Sequence, residues 1–236
     1  MTTHSAEEPL RPGKIVAIGL NYLDHIRETG MARPETPLVF AKFTTSVIAD
    51  GDAIEIDRSL TQRVDWEVEL GVVIGTTMRR VREGDALAHV AGYTVANDVS
   101  ARDVQFADAQ WVRGKSLDTF CPLGRRVVRP QEIGDPQRLG LRTRVNGETV
   151  QDSSTAEMVF SVATLLAYCS HSFTLEPGDV VLTGTPWGCG EFMSPRRSLQ
   201  HGDVVEVEVD GVGRLRNPVV EVDGHGVLPA LPTLAS

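Results

Sequence analysis

The chain has 236 residues and a formal net charge of −9. That is enough for one large domain or two small ones, and without a long basic run it excludes a nucleic-acid footprint. Three cysteines without paired metal-ligand spacing argue against a disulfide framework, no stretch approaches the roughly 20 apolar residues of a membrane span, and residues 1–9 lack the apolar core of a signal peptide, so the expectation is a soluble cytoplasmic protein with reduced thiols.

Residues 1–13 are polar and expected to be loose. Residues 14–19 form a short apolar strand ending at a glycine. Asn21 then offers a cap and Gly30 a stop for a short helix, on which His25 and Glu28 share a face. A carboxylate beside a histidine orients the ring and raises its basicity; the same spacing also makes a plain surface pair. Two prolines in residues 31–37 mark a mobile connection before a strand at 38–43. Ile54 and Ile56 alternate with Glu55 and Asp57 in a half-exposed strand.

The chain is organised around residues 64–75, VDWEVELGVVIG. Glu67 and Glu69 project to one face of a strand, and the run then turns almost wholly apolar, as a strand buried on both faces does. Two carboxylates at the mouth of such a strand require a cation, and Mg²⁺, Mn²⁺ and Ca²⁺ favour oxygen ligands. The spacing alone is not specific. Glu206 and Glu208 repeat it in a strand whose alternation predicts one apolar and one wet face, and so do Glu55 and Asp57.

Residues 90–96 read as an apolar strand that stops at Asn97-Asp98. Asp98 suits either a functional side chain at a strand end or a helix cap. Arg102 shares a helical face with Gln105 and Phe106, and can clamp a carboxylate or pair with Asp98 or Asp103. The Gly114-Lys115-Ser116 triplet lacks the earlier glycine of a phosphate-binding loop, so Lys115 matters only if the fold aims it at the carboxylates. Asn146-Gly147 predicts a hairpin. Ser154 and Glu157 form a capping box for a helix carrying Met158, Val162, Leu165, Leu166 and Cys169, with His171 at its end. The glycine-rich loop 183–190, with Thr185 and Cys189, lets backbone N–H groups approach a ligand or serves as a connector. Asp210-Gly211 makes a second hairpin, and residues 224–236 show no periodicity. The expectation is one mostly β domain at 14–222, between a loose 1–13 and a tail at 223–236.

Five stretches in this order resemble the fumarylacetoacetate hydrolase family over residues 14–220. They are Gly19-Leu20-Asn21-Tyr22 with His25 and Glu28, Trp66-Glu67-Val68-Glu69-Leu70, Asn97-Asp98 through Arg102-Asp103, Gly114-Lys115 through Pro122-Leu123-Gly124, and Leu182-Thr183-Gly184-Thr185-Pro186. The similarity is to the compact form that starts almost directly at the catalytic domain. It implies an α+β, predominantly β fold, a mixed β-roll with a few short helices. It also implies one Mg²⁺ or Mn²⁺ per chain held by Glu67, Glu69 and Asp98, a small-molecule 2-oxo acid substrate and a homodimer. On the family pattern Lys115 adds positive charge beside a developing enolate, and His25, oriented by Glu28, activates a water. Arg102, Gln105 and Thr185 hold the substrate, and the helix at 21–30 closes over it.

The leading functional expectation is hydrolysis of the C–C bond of acylpyruvates such as fumarylpyruvate, in aromatic-compound catabolism. The alternatives are an oxaloacetate decarboxylase, an isomerase or decarboxylase of unsaturated dicarboxylic 2-oxo acids, and a non-catalytic binding module. Residues 26–37 and 187–200 are expected to select the acyl group, with Arg196 or Arg197 either reaching a second carboxylate or lying on the surface.

Overall fold

The computed structural model describes residues 10–224. Ten strands carry the fold: β1 (Ile15–Gly19), β2 (Leu38–Lys42), β3 (Ile54–Asp57), β4 (Val68–Ile74), β5 (Val90–Asn97), β6 (Gly140–Val145), β7 (Glu148–Ser154), β8 (Val180–Leu182), β9 (Val204–Val209) and β10 (Gly213–Val222). They form two five-stranded sheets. The first runs β2-β1-β8-β4-β5, parallel only between β1 and β8, where Ile15 faces Val180. The second runs β7-β6-β9-β10-β3, parallel only where Val219 of β10 faces Ile54 of β3. Four helices matter for the site and core: α1 (Leu23–Thr29), α2 (Arg102–Ala107), α3 (Val112–Lys115) and α4 (Val162–Ser172). With more strand than helix, this is the mixed β-roll expected.

β4 is the strand buried on both faces. Val68, Leu70, Val72 and Ile74 join the main apolar cluster with Leu141, Val145, Val205, Val207 and Leu166, while Val73 packs on the other side with Ile15, Ala17, Ala96 and Leu182. Each such side chain contributes about 1.5–3 kcal/mol by leaving water. The hairpin at Asn146-Gly147 forms with both residues at positive φ, 53° and 84°, as a two-residue turn matching strand twist demands. Among the described residues no helix is long and apolar enough to cross a membrane.

Three local expectations are corrected. The run 64–75 is not one ladder: Val64–Asp65 pairs with Ser100–Ala101, and β4 begins only at Val68. Between them, Trp66 N donates to Asp65 Oδ1 and Glu67 N to Asn97 Oδ1, so side-chain oxygens replace the strand partner. Helix α4 starts at Val162, because Ser161 rather than Ser154 accepts its first-turn N–H, from Thr164; Met158 instead bridges Tyr22. Asn21 does not cap α1. Its side-chain amide donates to Thr183 O and Phe160 O and accepts from Phe160 N, tying three segments together. Of the segment expected to be loose, residues 10–13 are described, and there Leu10 is buried in the second apolar cluster. The tail from 225 onward lies outside the described residues.

Candidate active site

The antiparallel pairing of β4 with β5 sets Val68 opposite Asn97 and Glu69 opposite Ala96. That register brings Asp98, in the turn after β5, beside the two glutamates. Glu67, Glu69 and Asp98 each place a carboxylate oxygen within 4.8 Å of the others, and all three are buried. Asp98 N also donates to Glu67 O at 2.9 Å, which locks the turn against the strand.

Like charges this close in a dry site need compensation. Three buried cations supply most of it. Lys115 Nζ bonds Glu67 Oε2 at 2.7 Å and Asp98 Oδ2 at 2.9 Å. Lys42 Nζ lies 2.7 Å from Asp98 Oδ1 and also donates to the backbone oxygen of Lys115. Arg102 bridges Asp65 Oδ2 at 2.8 Å and Glu67 Oε1 at 2.6 Å, and donates to Gln105 Oε1 at 3.0 Å. Burial works against charge on Glu67, but Lys115 and then Arg102 outweigh it and hold its carboxyl below the ordinary value. Burial likewise opposes the Lys115 ammonium, and Asp98 and Glu67 reverse that and keep it charged.

Glu69 stands apart. It makes no ion pair among the described residues, and its one recorded hydrogen bond comes from Gly184 N at 2.8 Å. Burial, then the charges of Asp98 and Glu67, push its carboxyl well above the ordinary range. With all four ionised, four buried carboxylates, Asp65 included, face three buried cations, one negative charge in excess, and it is this excess that burial resists at Glu69. An oxygen-only donor set with surplus negative charge fits a hard divalent cation. With such an ion the neighbourhood turns net positive, as an anionic ligand requires.

His25 lies on α1, buried, with Nδ1 2.9 Å from Glu28 Oε2. Glu28 Oε1 in turn accepts from Gly188 N at 2.9 Å. His25 Nε2 makes no hydrogen bond among the described residues, and the ring meets Phe192 edge-on, 5.4 Å between centroids. The glycine-rich loop 183–190 does bring its backbone N–H groups inward, but to the protein's own acids: Gly184 to Glu69, Gly188 to Glu28 and Gly190 to Asp65. Gly188 has φ of 97°, and a Cβ there would lie 2.1 Å from Val150 O, so only glycine serves.

A cavity of about 240 Å³ is lined by His25, Glu67, Glu69, Arg102, Lys115 and Thr185, with Gln105 beside them and Phe40, Trp111 and Phe192 supplying apolar wall. The nine expected site residues are therefore gathered in one place. Seven line the cavity; Asp98 and Glu28 stand behind it as partners of Lys115 and His25. Arg196 and Arg197 do not reach it. They pair with Glu191 and Glu148 and line a separate cleft with Trp187 and Met193. Sequence reasoning missed Lys42 and Asp65. Asp65 had a signal: it precedes Glu67 and Glu69 at the same two-residue spacing. Lys42, the last residue of β2, reads as an ordinary exposed strand end and gave none.

A buried acid–base pair and a carboxylate cluster on one shared cavity make an enzyme's site rather than a binding module's. Residues 14–220 match the model of the fumarylacetoacetate (FAA) hydrolase C-terminal family, and the chain belongs to that family. It is 50% identical over 211 residues to a mitochondrial oxaloacetate tautomerase of Xenopus laevis, an alignment covering 89% of this chain and 66% of that protein. The chain thus spans about two thirds of the length of that relative. Among solved structures it resembles a fumarylacetoacetate hydrolase from Exiguobacterium antarcticum, with a TM-score of 0.84, 44% identity and coverage of 90% of this chain and 76% of that one. It also resembles a 5-carboxymethyl-2-hydroxymuconate delta-isomerase from Mycobacterium smegmatis, with a TM-score of 0.81, 40% identity and coverage of 92% and 82%.

Proposed function

We propose that this protein moves a proton at the carbon next to the oxo group of a 2-oxo dicarboxylic acid, interconverting keto and enol forms, with oxaloacetate as the representative substrate. The observation that carries this is the placement of His25: Nδ1 is held by Glu28, Nε2 has no hydrogen-bond partner among the described residues, and the ring lines the same cavity as Glu67, Glu69 and Lys115. The tautomerase and isomerase among the similar proteins support it, since both names describe proton shifts without loss of carbon. C–C bond hydrolysis, the leading expectation from the family resemblance, becomes the second reading.

Glu67, Glu69 and Asp98 would hold Mg²⁺ or Mn²⁺, which supplies Lewis acidity toward an oxo group. The chain's own residues do the rest. Glu28 fixes the tautomer of His25 with the proton on Nδ1, leaving Nε2 free to accept the substrate's α-proton and return it to oxygen or carbon. The Lys115 ammonium, kept charged by its two carboxylates, stabilises negative charge growing on the oxo oxygen. Arg102 and Gln105, bonded to each other, present a fixed polar wall for a substrate carboxylate. Phe40, Trp111 and Phe192 limit water around the proton being moved.

The second reading keeps the same residues but has His25 activate a water. The Exiguobacterium hydrolase favours it. The test is proton NMR of oxaloacetate in D₂O with Mg²⁺. The expected result is C3 hydrogen exchange above the rate in Mg²⁺ buffer, abolished in His25→Ala, with no matching build-up of pyruvate. Pyruvate formed as fast as exchange would replace tautomerisation with decarboxylation. Cleavage of acetylpyruvate with oxaloacetate exchange left at the buffer rate would restore hydrolysis.

A further inference from the structure

Cys189 sits in the glycine-rich loop and takes no part in the chemistry above. Its Sγ, one nitrogen of His25 and one carboxylate oxygen of Glu28 all lie within 4.8 Å of one another. His25 and Cys189 are buried and Glu28 is half-buried. This donor set differs in kind from the neighbouring one: one nitrogen, one sulfur and one oxygen, against three oxygens. Mixed sulfur and nitrogen donors suit zinc and its relatives, whereas Mg²⁺ and Mn²⁺ prefer oxygen.

We infer that His25, Glu28 and Cys189 form a second metal site, selective for Zn²⁺, whose occupation switches the enzyme off. The spacing is close to what zinc needs. With bonds of about 2.0–2.3 Å, tetrahedral geometry puts ligand atoms about 3.3–3.6 Å apart. His25 Nδ1 and Glu28 Oε2 are already 2.9 Å apart, so a small rotation of the glutamate opens room for the ion. The charges also close: one dication, one thiolate and one carboxylate sum to zero, which a buried site tolerates.

The proton balance explains the inhibition. Cys189 gives up its thiol proton to solvent as sulfur binds zinc. The His25 ring stays neutral, but zinc on Nδ1 moves the ring proton to Nε2. That nitrogen then has no lone pair with which to accept a substrate proton. An ion has its own way in. A separate cleft of about 540 Å³, lined by Trp187, Gly188 and Met193, has Glu28 in its wall and none of the three clustered carboxylates.

The binding claim stands on geometry alone; the inhibitory consequence rests on His25 acting as the base proposed above. The test uses the full chain saturated with Mg²⁺, with Co²⁺ as a spectroscopic stand-in for Zn²⁺. Wild type should show a thiolate-to-cobalt charge-transfer band, which Cys189→Ala and Cys189→Ser lose and Glu69→Gln keeps. Zn²⁺ should bleach the band. It should also halve turnover at a concentration at least tenfold lower in wild type than in the two cysteine variants, which turn over and melt like wild type without zinc. A band that survives in Cys189→Ala, or that is lost in Glu69→Gln, overturns the site. A band that behaves as expected while zinc leaves turnover untouched overturns the switch and removes His25 as the base, with the binding site intact. The cobalt band decides the binding claim even if oxaloacetate proves not to be a substrate.

Discussion

Two regions of this molecule carry glutamates two residues apart, and they do opposite things. Along β9, Glu206 and Glu208 alternate with Val205, Val207 and Val209; the valines are buried and the glutamates remain half-exposed. Arg214 and Arg144 answer them across the sheet at 3.3 and 3.0 Å, at positions open to solvent. Around the start of β4, Glu67 and Glu69 have the same spacing but no solvent, and three buried cations converge on their neighbourhood. The difference lies in the sheet. β9 has one apolar face and one wet one, whereas β4 lies between β8 and β5 with apolar clusters on both sides. A pair of acids becomes a site where the strand leaves them nowhere to be hydrated.

The comparison breaks most sharply at the cations. Lys42→Met leaves Asp98 with one buried partner instead of two, and should cost about 3–5 kcal/mol of folding stability. Arg214→Met, which removes an exposed partner of Glu206, should cost under about 1 kcal/mol. Urea denaturation of both variants measures the contrast, and equal losses would mean the two acid pairs are not different in kind.

The next effect is on metal. Glu69→Gln should weaken Mn²⁺ binding by at least about 100-fold in a calorimetric titration, and Glu208→Gln should leave it unchanged. A smaller effect sharpens the same point. In chelated protein Glu69 carries a folded-state pKa above its unfolded value of 4.5. Its contribution to stability is therefore present below that pH and lost as pH rises through the raised value. Chelated wild type should lose stability over this rise, and Glu69→Gln should lose less. A steeper loss in the variant would show that Glu69 is not the strained member of the cluster.

The fold was largely legible because its signals are local. The apolar run of β4, the Asn146-Gly147 turn and the alternation of β9 each follow from neighbouring residues. The carboxylates were legible from their spacing together with the family pattern, which supplied Asp98. Lys42 was not, because nothing near it in the chain marks a strand-end lysine for burial; only the docking of β2 against the turn at Asp98 does that. Asn21 misled for a related reason. Beside a helix start it has the form of a cap, but its amide is claimed by Thr183 and Phe160, more than a hundred residues away.

The parallel pairing of β1 with β8 has a consequence for the protein's life before it is an enzyme. Ile15 pairs with Lys42 of the nearby β2 on one edge, but its other partner is the distant Val180, and among the described residues Glu69 and Glu28 take their backbone donors from Gly184 and Gly188. On the ribosome, β1 can meet β2 early, but most of the chain must emerge before its other edge is paired by β8. Until then the four acids of the site are exposed on an incomplete nascent chain, and contacts of such long sequence separation form slowly. Products truncated before residue 180 cannot carry a weakened form of this activity; they lack the β8 strand and the loop behind it that finish the site.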